Sequence, residues 1–258
     1  MTQVIYDGTY EGFLTAIFEI YEYKLHDVVF AKNEVSGGLL FSSKHSVTTD
    51  DAKATRVLNG LKIHLSKNGF EGVYCAFLSE LDQIEELLFQ YIQYVFSSSV
   101  NIEQDYGNSI VLDIIKASNL TTKESHRMKA FVRFKLTKDD LYYAIVEPDC
   151  NVLPLIEKHF KKRYADQRWL IYDAKRKYGV YYDLEYLSTV QLQFDSHLNS
   201  SKFLAEIFDE DEEFFQNLWR RYFSSVNIES RKNMKLHVQH MPKRYWKNLI
   251  EKIPNIKK

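Results

Sequence analysis

The 258-residue sequence is poor in the residues that break or cross-link a chain: 4 Pro, 9 Gly and 2 Cys. So few prolines and glycines argue against long disordered linkers. Cys75 and Cys150 are isolated from each other, each among apolar neighbours. That excludes a CxxC zinc site and a three-cysteine iron–sulfur motif within this chain, and it fits reduced thiols. No apolar run approaches membrane-spanning length, and the start, MTQVIYDG, lacks a basic-then-apolar leader pattern. A cytoplasmic protein without a membrane partner is therefore expected. Phosphate-loop, dinucleotide and Ser-His-Asp signatures are also missing. His237 and His240 stand three apart with no third ligand at a recognisable spacing, so no metal and no cofactor is expected.

Aromatic residues are abundant, at 15% with 18 Tyr and 17 Phe, whereas 45% apolar and 27% charged residues are ordinary values. Charge is unevenly spread. From Trp219 onward there are eleven Lys/Arg against two Asp/Glu, although the whole chain carries −1. A basic, aromatic-rich segment on an otherwise acidic protein is what a phosphate-contacting surface needs. Within it Phe214, Phe215, Leu218, Trp219, Tyr222, Phe223 and Val226 follow helical spacing, which predicts a core stripe. Lys243, Arg244 and Lys247 should project from one side of a short helix opened by Pro242, with Arg231 and Lys235 just before it. These five cations are candidate nucleic-acid contacts.

The order of elements predicts an α+β protein: residues 1–100 mainly helical, residues 101–258 an α+β domain ending in basic helices. Early in the chain come a strand at Gln3–Tyr6, a turn at Asp7-Gly8 and a helix capped by Thr9. Val28–Ala31 should be extended and Ser36-Gly37-Gly38 a loop. A helix from Asp51 should end at Asn68-Gly69, followed by helices over Phe70–Ser79 and Asp82–Ser98. Ser97–Gly107 marks the expected boundary. Beyond it, Asn108–Ala117 and Thr122–Arg127 read as helices, Met128–Leu136 and Leu141–Glu147 as strands, and Asn151 to about Tyr164 as a helix. Arg168–Asp173, Val180–Asp183 and Leu187–Phe194 return to extended structure, with a turn at Tyr178-Gly179. The simplest assembly is an antiparallel sheet with one packed helix.

As a strand, MKAFVRFKL places Lys129, Phe131, Arg133 and Lys135 on one face, with Arg127 just ahead. Cations interleaved with an aromatic are suited to stacking bases and holding phosphates. For acid–base work the candidates are His126 together with Glu147 and Asp149, which lie at a strand end around Pro148.

Four stretches carry a resemblance: YDGTYEGFLTAIFEIYE, HRMKAFVRF, EPDCNVLPLIEKHFKKRYADQRWLIYD and LWRRYFSSVNIESRKNMKLHVQHMPKRYWKNL. Over nearly its whole length the chain resembles a family of bacterial DNA metabolism and DNA repair proteins whose C-terminal domain is of unknown function. The resemblance implies a radical-SAM protein as partner, and a similar domain is fused to uracil-DNA glycosylase-like proteins. His126, Arg127, Arg133, Glu147, Pro148, Asp149, Arg163, Trp169, Arg231, Met241, Pro242, Tyr245 and Trp246 match its motif positions. The family often has histidine after EPD, where this chain has Cys150. Three functions are thereby expected in order: a DNA-binding accessory acting with the radical-SAM partner, a DNA-processing enzyme in its own right, or a protein–protein adaptor that never touches DNA.

Overall fold

The structure, a computed structural model, describes residues 1–32, 43–191, 216–221 and 233–252. The Ser36-Gly37-Gly38 loop, most of the Phe214–Val226 stripe and Arg231 lie outside the described residues. The chain divides into two compact units, Met1–Thr122 and Lys123–Lys258. Helices combine with sheets that contain antiparallel strands, so the class is α+β.

The first unit opens with β1 (Thr2–Tyr6), which pairs in parallel with β2 (Val28–Lys32) on one side and β3 (Ser43–Ser46) on the other. Val4, Ile5 and Tyr6 are all buried, the consecutive burial of a central parallel strand. The expected turn follows: Gly8 adopts φ +82°, which glycine takes without strain. Thr9 then caps α1 (Tyr10–Glu22), its hydroxyl accepting the Gly12 N–H at 2.9 Å. Phe13, Leu14, Ala16, Ile17 and Ile20 form the inner face. α2 (Asp51–His64) is capped by Asp50. It stops short of the expected Asn68-Gly69, because Ser66 starts α3 (Lys67–Phe77) and accepts the Gly69 N–H at 3.1 Å. α4 (Ile84–Ser97) completes the helices of this unit before α5.

The main departure from expectation is α5 (Ser109–Phe131), one helix where two helices and the start of a strand were predicted. Thr121, Glu124, Ser125, Met128 and Val132 are all buried, and their recurrence at i, i+3, i+4, i+7 and i+11 keeps them on one helical face. The alternation in MKAFVRFKL coincides with that period over too few residues to decide the structure. Only Lys135–Leu136 remains as a strand, β4. The predicted strand face of Lys129, Phe131, Arg133 and Lys135 therefore does not exist. Lys129 and Phe131 lie in α5, and Arg133 lies in the irregular stretch that follows it.

In the second unit β4, β5 (Tyr142–Val146), β6 (Trp169–Asp173), β7 (Tyr178–Tyr182) and β8 (Leu187–Val190) form a five-stranded sheet in sequence order. It is mixed rather than wholly antiparallel. β5 and β6 run parallel because α6 (Leu153–Arg163) supplies the crossover between them. The β6–β7 turn lies at residues 174–177, where Asp173 Oδ1 accepts the backbone N–H groups of Lys175 (2.9 Å) and Arg176 (3.1 Å). Tyr178 and Gly179 consequently belong to β7. One sheet face is covered by Val152, Leu153, Ile156 and Phe160 near and in α6, with Met128, Tyr245 and Leu249. Trp169 is fully buried against Phe160 and Tyr182. The last described elements are α7 (Met234–His240) and two 3-10 turns, Lys243–Asn248 and Ile250–Lys252. Among the described residues no helix is long and apolar enough to cross a membrane.

Candidate functional site

Because β5 and β6 are parallel, their carboxyl ends share one edge of the sheet, the edge where open sheets present ligand-binding loops. Glu147, Pro148 and Asp149 leave β5 there, and Asp173 closes β6. The Asp173 side chain is fully buried and pairs with Arg176 at 2.8 Å. The same guanidinium donates to Pro148 O at 3.1 Å and to Asp149 O at 2.9 Å. The loop after β5 is therefore fixed through its backbone, and its carboxylates are left to other partners.

Those partners come from α5 and the C-terminal turns. Glu124, buried on the inner face of α5, accepts the Asp149 N–H at 3.0 Å through Oε1. Its Oε2 accepts from Arg244 Nη2 at 2.9 Å and from the Tyr245 hydroxyl. Arg127 Nη1 stands 3.7 Å from the same oxygen. Arg244 also pairs through Nε with Asp149 Oδ2 at 3.0 Å, and Lys247 pairs with Glu147. Burial, reinforced by the hydrogen bond to Glu124, raises the Tyr245 pKa, so the phenol is a donor at neutral pH. For Arg244 burial pulls the other way, and the surrounding Tyr245, Glu124 and Asp149 outweigh it, holding the cation charged.

The 3-10 geometry explains how the C-terminal cations are shared out. Residues three apart eclipse in such a turn. Arg244 and Lys247 thus lie along one edge and meet Asp149 and Glu147, while Lys243 lies over the Trp246 ring at 5.9 Å. Tyr245 turns inward, 5.3 Å from Phe131. The predicted contacts accordingly separate into groups. Glu147, Asp149, Arg244 and Lys247 meet at the loop after β5, and Arg127 approaches Glu124 beside it. Lys129 and His126 are exposed on α5, and Lys235 is exposed on α7. His126 is two positions beyond Glu124, which places it about 200° around the helix. Phe131 packs into the core cluster.

Arg133 has a separate neighbourhood. It grips the buried Glu251 with Nη2 at 2.8 Å and Nε at 3.3 Å, and its Nη1 donates to Ala130 O at 2.7 Å. Trp219 lies against the guanidinium at 5.3 Å and donates to Glu251 Oε2 at 3.0 Å. Beside it a groove of about 70 Å³ is lined by Arg133, Lys135, Tyr143, Ile145, Lys247, Asn248 and Ile250. It gathers three cations and a tyrosine, and no carboxylate is among its lining residues.

Sequence reasoning passed over Glu124, Asp173 and Arg176. Glu124 carried a readable signal, since helical spacing from Thr121 to Met128 places it on an apolar face. A charge in that position needs a partner.

No curated protein matches the chain. Residues 82–251 match DUF4130, a domain family of unknown function. That span takes in both carboxylates of the β5 loop, Glu124, the whole mixed sheet and the C-terminal turns as far as Glu251. The match covers more than half of the sequence, and the chain belongs to the DUF4130 family.

Proposed function

We propose that the protein is a nucleic-acid-binding accessory of DNA repair and DNA metabolism, working beside a radical-SAM partner. The groove lined by Arg133, Lys135 and Lys247 with Tyr143 carries the binding half of this reading. Such a lining offers cations to phosphates and a ring to a base, with Arg133 and Lys247 shared between the groove and the carboxylates of Glu251 and Glu147. The DNA context and the partner rest on the sequence resemblance. Salt titration of oligonucleotide binding tests the reading. Each phosphate contact steepens the fall of log affinity with log salt by about 0.7 on a single strand and about 0.9 on duplex. Lys247 shares its charge with Glu147, so Lys247→Ala should flatten the slope by up to about one such step without changing base preference. An unchanged slope, or no binding at low salt, overturns the reading.

A second reading has one observation in its favour. Glu147 and Asp149 stand at the carboxyl edge of the parallel β5–β6 pair, beside the buried Glu124 and Tyr245 and the exposed Arg244 that bonds to Glu124. On this reading the chain processes DNA itself, and metal-dependent turnover of an oligonucleotide by the purified protein distinguishes it.

A further inference from the structure

The helix that covers the mixed sheet turns a strongly basic side to solvent. Leu153, Ile156 and Phe160 of α6 are buried on the sheet. Their spacing leaves Lys158, His159, Lys162 and Arg163 on the outer side, and all four are exposed. The exposed Lys129 of α5 adjoins them. Burial lowers the His159 pKa, and the charges of Lys129 and Arg163 lower it further, so both cations lie near this ring. Among the described residues, none of these five pairs with a carboxylate. Glu157, the one carboxylate of α6, is partly buried, which raises its pKa against the pull of Lys158. Lys158 and Lys162 stand four apart, a spacing at which like charges weaken a helix. Cations in a last turn complement the helix dipole, which accounts for Lys162, Arg163 and, in α5, Lys129. The dipole gives no reason for Lys158, or for the cations of two helices gathering around His159.

We infer that this outer face holds the phosphate backbone of duplex DNA through Lys129, Lys158, Lys162 and Arg163. The inference rests on the nucleic-acid reading above and adds a second contact surface and the form of the ligand. The occupant follows from what accompanies the cations. No large apolar side chain of α6 is exposed, whereas a helix that lies on a bilayer buries apolar side chains there. The face offers no exposed Phe, Tyr or Trp on which an unpaired base could stack. A duplex keeps its bases stacked on each other and asks only for cations along its phosphates.

The test uses the full chain, a fluorescent duplex of mixed sequence and one of its strands. The parent should bind the duplex more tightly than the single strand. Lys158→Gln and Lys162→Gln should each flatten the salt slope on duplex by about 0.9, which at about 0.1 M salt is roughly an eightfold loss of affinity. Lys158→Arg should bind as the parent does. Melting temperatures of the Gln variants should equal the parent's or rise slightly, because each removes a like-charge pair, whereas loss of a cation needed by the fold would lower them. The groove beside Arg133 lies on the other face of the sheet, so the slope changes of Lys158→Gln and Lys247→Ala should add. Parental slope and affinity in both Gln variants overturn this inference. So does a parent that binds the single strand, polyglutamate or phosphatidylserine vesicles as tightly as the duplex. Either result leaves the broader reading to the Lys247→Ala titration. Failure of the parent to bind either oligonucleotide at low salt overturns both.

Discussion

The two units neutralise their buried carboxylates with different cations. In the first, Glu19 pairs with Lys53 (2.8 Å) and His45 (2.7 Å), and Glu85 with Lys32 (2.7 Å) and the Tyr6 hydroxyl (2.9 Å). In the second, Asp173, Glu124 and Glu251 are held by Arg176, Arg244 and Arg133. A lysine offers one compact charge, whereas the planar fork of arginine can hold a carboxylate and reach further acceptors. Arg176 uses that reach on Pro148 O and Asp149 O, and Arg133 on Ala130 O and Val132 O. The lysine pairs join α1 to α2 and β2 to α4, which are already regular elements. The arginines instead fasten irregular backbone, namely the loop after β5, the stretch after α5 and the C-terminal turns. The candidate site is built from loops, and guanidinium groups give those loops their fixed shape.

The largest expected effect tests that contrast directly. Asp173→Ala leaves the nearly buried Arg176 without its carboxylate and should cost roughly 3–5 kcal/mol in denaturant unfolding. Arg176→Lys retains the charge but cannot span Asp173 and two carbonyls, so it should lose most of the same stability. Lys53→Arg in the first unit should be nearly neutral by comparison. Equal midpoints for Arg176→Lys and the parent would remove the distinction between the units. Next in size is Glu124→Gln, which keeps the shape but weakens the bonds to Arg244 and Tyr245. A loss of about 2 kcal/mol is expected, read from the same unfolding curves.

Much of this architecture was readable from sequence, and the failures have identifiable physical causes. β1, α1, β5, α6 and β6 each announce themselves by a cap, a turn or an apolar run of the right length. β3, with the sequence SKHS, has no apolar period and owes its place to pairing with β1. The end of α5 was misread because its short alternating run satisfies two periods at once, and burial of Glu124 and Met128 decides between them. The parallel pairing of β5 and β6 follows from the helix between them, a tertiary consequence that strand patterns do not encode. At the site, the EPD residues and the C-terminal cations were visible as charges. Their mutual pairing was not, since Lys247 and Glu147 are a hundred residues apart.

Acid should weaken the C-terminal end of the second unit in two stages. Burial, with a smaller contribution from Lys252, lowers the His237 pKa below its ordinary 6.5. Its contribution to stability is therefore complete above that pH and is lost as pH falls through the lower folded value. For Glu251 burial would raise the pKa, but the hydrogen bonds and charge of Arg133, with help from Trp219, hold it below 4.5. That stabilisation is present above pH 4.5 and disappears only as pH falls further, through the folded value. Glu19 in the first unit is lowered in the same direction, its own burial outweighed by Lys53 and His45. The lower stage is thus shared by the two units, whereas the upper stage turns on His237. Melting temperature against pH for the parent and His237→Gln measures it, and the two profiles should differ below pH 6.5 and converge above. Superimposable profiles throughout would show that His237 contributes nothing.

The smallest effect on stability is expected where the consequence for binding is most informative. Lys247 and Glu147 are paired, yet 58% and 35% of their side-chain surfaces remain exposed. Solvent screens such a pair, so Glu147→Gln should change unfolding by less than about 1 kcal/mol. Lys247 also lines the groove, where Glu147 acts as a resident counter-charge competing with phosphate. Neutralising Glu147 should release the ammonium and raise oligonucleotide affinity roughly two- to fivefold, the worth of one partly exposed pair. The salt dependence should steepen by up to about 0.7 on a single strand, as one more cation becomes available. A catalytic Glu147 makes the opposite forecast: turnover disappears in the amide while affinity and salt slope stay at parental values. Measuring binding and turnover on the same Glu147→Gln preparation therefore decides whether the loop after β5 governs access to the cationic groove or carries a reaction of its own.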